Sequence, residues 1–302
     1  MVHTLIKHGV AALLFGFSGV AQAITVFACE PEWAALTRVL LPEAQVKTAT
    51  HHLQDPHHIE ARPSLIAHMR NADVAVCTGA ELESGWLPML LEKSGNRRIQ
   101  NGQKGLFFAA DHVQLIDPFQ GSKTPFSGDV HAQGNPHFHT DPRRFLLVTQ
   151  ALAERLGLLF PQHQSEIKSR QQQFEQQLKS KITQWEIKAK PLQGRKVITQ
   201  HATFAYLWAW LGLQPIADLE PKPGIPPTPQ HLEKVLTIAK SNPQSPIIIA
   251  QHHDPQPARW LSQQLGPLHP LLVLPATVPS DQADSILTWF DNIINQLLTT
   301  QR

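Results

Sequence analysis

Histidine is the residue type with the most chemical potential in this chain of 302 residues: seventeen are present, fifteen of them after residue 23. Imidazole is the commonest protein ligand for zinc, copper and nickel. Three of the histidines sit where a loop leaves an apolar run or enters a helix. His57 lies in DPHHIEARPS after VKTAT, His137 lies in GNPHFHTDP, and His201 follows KVITQ and opens ATFAYLWAWLGL. A lone loop histidine is ordinarily solvated or bonded to a backbone carbonyl. Three at corresponding strand ends, where open α/β sheets hold their ligands, supply most of a tetrahedral zinc site without a thiolate. The other histidines carry weaker claims: His51, His52 and His58 read as solvated neighbours of His57, and His139 as a residue that packs beside a ligand.

Other chemistries are poorly served. Cys29 and Cys77 are the only cysteines, so neither a Cys-rich metal site nor a disulfide scaffold is available. A zinc hydrolase needs an open coordination position and a general base. The chain has no HExxH and no second cluster of carboxylates beside the histidines, and Glu60 is the near candidate for a general base. A net charge of +2 gives no basic stripe and no footprint for nucleic acid.

The elements that must position these histidines follow from periodicity. ITVFAC, VKTAT, DVAVC, GLFFAA and VQLID are short apolar runs alternating with helical patterns over Pro31 onward, Pro63 to Asn71 and Glu81 to Lys93. After residue 191 the rhythm returns: KVIT, IADLE, PIIIA and PLLVLP precede helical patterns over Ala202 to Leu211, Thr228 to Lys240, Pro255 to Leu265 and Asp281 to Leu298. Such alternation predicts two α/β lobes, each with a mainly parallel sheet. Between them Asp141 and Pro142 open a helical stretch as cap and first residue. In it Ile167, Phe174, Leu178, Ile182 and Trp185 share one face, which suits a rigid linker helix laid along both lobes. The segment from Pro118 to Asn135 is rich in Gly, Ser, Pro and Asp and reads as a surface loop. The expected organisation is 1–23 leader, 24–141 first lobe, 142–190 helical segment and 191–302 second lobe.

The first residues combine Lys7, an apolar run from Val10 to Val20 and Ala-Gln-Ala. This is the pattern of a secretory signal peptide cleaved after Ala23, since the run is about half of the ~20 residues a spanning helix needs. No later stretch is long enough to span a bilayer, so the mature chain is expected to be periplasmic and not membrane-embedded. Export permits a disulfide. Cys29 and Cys77 end two apolar strands expected to be neighbours, and adjacent strands lie about 4.8 Å apart; a bridge and two buried thiols both fit.

DPHHIEARPS, ADVAVCTGAELESGW, GNPHFHTDP, HATFAYLWAWLGL and LEPKPGIPPTPQHL, in that order, resemble the zinc and manganese solute-binding proteins of metal ABC transporters, the cluster A-I or zinc-uptake type. The resemblance covers essentially the whole chain after the leader. It implies two α/β lobes joined by one rigid helix with a metal held in the cleft between them, a non-enzymatic role, a monomer, and an inner-membrane permease with its ATPase as partner. The family's first three ligands carry over to His57, His137 and His201. The third imidazole favours zinc over manganese as the transported ion, in keeping with ligand softness. A metal chaperone or adhesin of the same fold is the alternative, with a zinc-dependent hydrolase behind it. The chain departs from the family twice: the Pro118 to Asn135 loop holds only His131, and the family's C-terminal aspartate falls near Ala276. For the fourth ligand Asp281 ranks first, because an all-imidazole shell leaves the ion's double charge without counter-charge. Water, His252 or His253, and Glu60 are the other sources.

Overall fold

The computed structural model describes residues 23–122, 124 and 127–300; apart from Ala23, the expected leader lies outside them. Eight strands form two four-stranded sheets in which every pairing is parallel. The first has the order β2-β1-β3-β4, from β1 (Thr25–Ala28), β2 (Gln45–Thr48), β3 (Val74–Cys77) and β4 (Leu106–Phe108). The second, β6-β5-β7-β8, repeats that order with β5 (Lys196–Thr199), β6 (Gln214–Asp218), β7 (Ile247–Ala250) and β8 (Leu271–Leu274). The continuous apolar runs of β3 and β7 are buried throughout, as expected of parallel strands covered on both faces. Helices α1 (Pro31–Leu40), α2 (Pro63–Asn71) and α3 (Leu87–Ser94) accompany the first sheet. Helices α6 (Ala205–Leu211), α7 (Pro229–Lys240), α8 (Gln256–Leu265) and α9 (Ser285–Thr299) accompany the second.

The segment between the sheets is two helices, α4 (Pro142–Leu159) and α5 (Gln164–Ala189), separated by a turn at Phe160. Asp141 caps α4 through its carboxylate, which accepts from the Arg143 amide, with Pro142 next. The 26 residues of α5 make a rod about 39 Å long. Its stripe of Ile167, Phe174, Leu178, Ile182 and Trp185 is buried as the spacing predicts. One end is tied to the first lobe by Arg170 on Glu43 at 3.2 Å. The other is tied to α9 by Lys181 and the Trp185 indole, each 2.7 Å from the Asp291 carboxylate. One apolar cluster runs through both lobes, from Ile24 and Trp33 through Phe145 and Trp185 to Phe290 and Leu297.

Two sequence expectations are corrected. VQLID is not a strand: it crosses toward the second lobe, where the Ile116 amide donates to the Tyr206 hydroxyl at 3.0 Å and the Ile116 carbonyl accepts from Asn135. The helix read from Glu81 starts only at Leu87, because Gly79, Ala80 and Glu81 take positive φ values of 79°, 50° and 66°. Those turns wrap the chain around the Glu83 carboxylate, which accepts from the Thr78 amide at 2.6 Å and the Gly79 amide at 3.0 Å.

Cys29 and Cys77, 48 positions apart in sequence, form a disulfide with Cα atoms 4.7 Å apart. Beside it Glu30 and Glu83 are a buried acid pair, each 2 % exposed. Burial, then the charges of Glu83 and Glu32, push the Glu30 carboxyl well above the usual range. Burial also pushes Glu83 up, to about 7, against the pull of its backbone donors.

Two outcomes follow. Closing a loop of this length stabilises by about 4 kcal/mol in the chain-entropy view, so replacing Cys29 and Cys77 together by alanine should lower the denaturant midpoint by about 2–4 kcal/mol of stability, read by urea titration. An acid whose folded pKa is raised favours the folded state below its unfolded pKa, and that contribution is lost as pH rises through the folded value. Glu30→Gln keeps the acceptor oxygen but cannot ionise. Without added metal it should therefore match wild type near pH 4.5 and exceed it near pH 8, as followed by thermal melting.

Candidate metal centre

The three histidines meet in the cleft between the lobes. His57, His137 and His201 each offer a ring nitrogen, and these atoms all lie within 4.8 Å of one another. Ring centroids form a near-equilateral triangle of 5.3, 5.4 and 5.5 Å, with ring planes inclined by 67°, 76° and 75°. Zinc ligands at about 2.0–2.1 Å stand about 3.4 Å apart on a tetrahedron, so the rings need close by only roughly 1 Å to hold an ion. All three are buried.

Each imidazole is oriented from behind. Asp55 opens the DPH motif and accepts from the His57 amide at 2.9 Å and from its Nδ1 at 2.7 Å. Since the carboxylate only accepts, Nδ1 carries the proton and the lone pair of Nε2 faces the cleft. The Trp86 indole fixes the same loop by donating to the Pro56 carbonyl at 2.8 Å. Glu220, from the LEPKPG motif, accepts from His201 Nδ1 at 3.0 Å, which turns His201 Nε2 inward in the same way. His201 has φ 62° and ψ 160°, a region nearly restricted to glycine that costs about 1–3 kcal/mol. The bond from its amide to Asp218 Oδ1 at 3.1 Å helps hold it there. His137 is positioned by Asn135, whose side chain accepts from the His137 amide at 2.8 Å and donates to the Ala202 carbonyl of the second lobe at 2.9 Å.

Burial shapes the electrostatics. Burial, then the neighbouring imidazoles, holds His137 well below the usual histidine range, and its buried Nε2 has no hydrogen-bond partner. A neutral imidazole with an unpartnered nitrogen is ready to ligate. His201 is pushed down by burial, but the hydrogen bond and charge of Glu220 outweigh this and raise it. Burial would raise Asp55, yet the bond and charge of His57 hold it well below the usual carboxylate range. The site thus has two anions placed one bond behind the imidazoles.

The sequence-ranked fourth ligands are placed elsewhere. Asp281 Oδ2 accepts from Arg38 on α1 at 2.9 Å, so a guanidinium holds the carboxylate away from the three histidines. Glu60 is exposed. His253 lies 5.8 Å from His201 between ring centroids, with His252 edge-on to His253 at 4.5 Å; burial pushes His253 down to about 2 and His252 to about 4. His253 Nδ1 accepts from the Ala250 amide. The residue beside the triad is instead His131, whose Nε2 is 3.3 Å from His57 Nε2. It comes from the segment read as a surface loop, and no local signal distinguished it. Asp55 and Glu220 also went unassigned, although both stand inside motifs that were singled out. His139 lies behind the triad, donating from Nε2 to the Ala276 carbonyl at 2.9 Å.

The His131 segment is docked on the second lobe by two close glycines. The Asp129 amide donates to the Pro223 carbonyl at 2.8 Å, and a Cβ on Gly224 would stand 2.1 Å from Asp129 Oδ2. A Cβ on Gly128 would stand 2.0 Å from the Pro223 oxygen. Beside the histidines the cleft opens into a cavity of about 590 Å³ lined in part by Phe119, His131, His137, His201 and Lys222.

The family described as zinc-uptake complex component A, periplasmic, matches residues 26–300. The chain belongs to that family. Among its relatives, the high-affinity zinc uptake system protein ZnuA of Yersinia pestis is 24% identical over 212 residues, 67% of this chain and 64% of the Yersinia protein. The chain therefore matches a little under two thirds of that relative's length. The Bacillus subtilis protein of the same description is 25% identical over 248 residues, 78% of this chain and 73% of its own. A crystal structure of ZnuA superposes with a TM-score of 0.74 at 19% identity, over 91% of this chain and 99% of that one, which establishes the shared fold. No helix among the described residues is long and apolar enough to cross a membrane.

Gly128→Ala should undock the His131 segment. Hydrogen exchange at the Asp129 amide is expected to quicken by roughly tenfold or more, ~1.4 kcal/mol of lost docking, while β5 and β7 amides stay unchanged.

Proposed function

We propose that this chain is the periplasmic solute-binding component of a metal ABC importer. It takes up one zinc ion through His57, His137 and His201 and delivers it to an inner-membrane permease with its ATPase, after export on a leader cleaved after Ala23. The observation that carries the reading is the convergence of three buried imidazoles from both lobes, two of them backed by carboxylates. That is how metal-binding histidines are oriented and made more basic. An imidazole-only inner set favours zinc over manganese. Asp55 and Glu220 supply the counter-charge that otherwise would require a carboxylate ligand. His131 takes the fourth position, since its ring nitrogen already stands against His57. A shell closed by four protein ligands suits binding and release; hydrolysis needs an open position for water.

Competition with a chelator of known affinity tests the assignment. Alanine at His57, His137 or His201 should weaken zinc binding more than ~100-fold, and Asp55→Asn or Glu220→Gln about 10–100-fold, the range seen when a ligand loses its support. His131→Ala should cost about tenfold, and Asp281→Asn should leave affinity within about threefold, because Arg38 already holds that carboxylate. A triple histidine variant with wild-type affinity would refute the site. Normal growth of a deletion strain under zinc limitation would remove the import role while leaving the binding chemistry intact.

A further inference from the structure

Behind the histidine triad lies a second, smaller cavity of about 20 Å³, bounded by α1, the Phe138–Thr140 turn and the loop after β8. Five of its lining residues, Glu30, Glu32, His137, His139 and Thr203, each carry a buried side-chain atom with no hydrogen-bond partner: Oε1, Oε1, Nε2, Nδ1 and Oγ1; His137 Nε2 is the triad's own ligand atom, and the other four lie behind it. Such clustering is unusual, because a buried acceptor without a donor costs about 1–3 kcal/mol. Glu30, Glu32 and His139 are 2 %, 1 % and 4 % exposed, so bulk water does not relieve them.

The hydrogen bonds around the cavity define what it lacks. His139 Nε2 faces the Ala276 carbonyl at 2.9 Å; a carbonyl only accepts, so Nε2 carries a hydrogen, and the neutral form of the ring has its lone pair on Nδ1. That nitrogen stands 3.5 Å from Glu32 Oε1, which is also an acceptor. The second oxygen of Glu32 is taken by the Thr277 hydroxyl, and the second oxygen of Glu30 by the Thr78 hydroxyl at 2.9 Å. Each carboxylate is anchored by one oxygen and leaves the other bare. Two lone pairs facing each other across such a gap repel unless something positive lies between them.

We propose that this cavity is an inner cation site, adjoining the triad at His137 but using ligands of its own, in which His139 Nδ1 and Glu32 Oε1 ligate a divalent transition ion and the Glu30 side chain must swing inward to supply a third ligand. The separation of 3.5 Å matches the edge of a tetrahedron with bonds of about 2.1 Å. A ligating histidine whose other nitrogen donates to a backbone carbonyl is the usual supporting arrangement. The volume suits one small sphere, since a cavity needs about 10–15 Å³ to hold a single water. A set of two carboxylates and one imidazole accepts Zn2+ or Mn2+.

The test is metal stoichiometry of the mature protein, stripped by chelator, saturated separately with Zn2+ and with Mn2+, and freed of unbound ion. Wild type should retain two ions per chain with at least one of the two metals. Glu32→Gln and His139→Phe, which preserves the ring packed on Trp289 at 6.0 Å, should retain one, with triad affinity for Zn2+ within about threefold of wild type. The triple variant of His57, His137 and His201 should also retain one, so failure of the triad reading and failure of this one are separable. Melting temperatures identify any variant that loses its fold, and Glu30→Gln serves as a third probe expected to weaken the inner ion about tenfold or more. Saturation of wild type at one ion with both metals, or two ions in folded Glu32→Gln and His139→Phe, would mean that the cavity holds water or a proton shared by His139 and Glu32, and would overturn the proposal.

Discussion

The aromatic seam around Phe290 determines how the two lobes sit. Its ring lies 5.2 Å from Trp185 of the rod helix, 6.0 Å from Trp210, 4.6 Å from Trp289 and 6.2 Å from Phe145. Phe145 in turn packs on Trp33 at 5.5 Å, and Trp33 on Phe138 at 5.8 Å. Five helices and the turn that carries His137 are therefore joined through one set of tilted and edge-on ring contacts, the geometries that aromatic quadrupoles favour. The cleft histidines come from three separate loops and have no contact of their own strong enough to set their spacing. The seam, reinforced by Asn135 across the lobes, does that work from below.

Charge placement is the second determinant. A shell of neutral rings leaves a dication costly to bury, and a carboxylate ligand is the direct remedy. Here the anions are instead set behind the rings at Asp55 and Glu220, where each fixes a tautomer as well as supplying charge. The same economy explains the strained backbone of His201: Asp218 and Glu220 converge on it from β6 and the loop beyond, so the cost of its positive φ is met by bonds that also aim the ring.

Much of this was legible in the amino-acid order. The apolar stripe from Ile167 to Trp185, the cap at Asp141, the paired sheets and the convergence of His57, His137 and His201 follow from periodicity, capping and motif position, which are local or repeat with a regular period. What was not legible depends on tertiary geometry. VQLID has strand composition but is drawn across the lobes by Tyr206. His131 sits in a segment with no periodicity, and its place beside His57 depends on the close approach at Gly128. Asp281 has the right distance from β8 for a ligand, but Arg38, remote in sequence on α1, claims it. Glu83 delays the start of α3 by drawing the chain around a buried carboxylate, a demand that helix propensity does not register.

The apolar cluster that passes from Ile24 to Leu297 also bears on how the polypeptide is assembled. Contacts between lobes within one chain are ordinarily modest, polar and mobile, and each lobe then behaves as an autonomous folding unit. In this molecule α9, at the far end of the chain, closes a core whose other walls are α1 and α5. A nascent chain released before Ser285 would leave Trp33, Phe145 and Trp185 without their partner rings. The first sheet can form early, but its core is completed only after α9 is synthesised, so the described chain folds as one cooperative body rather than lobe by lobe.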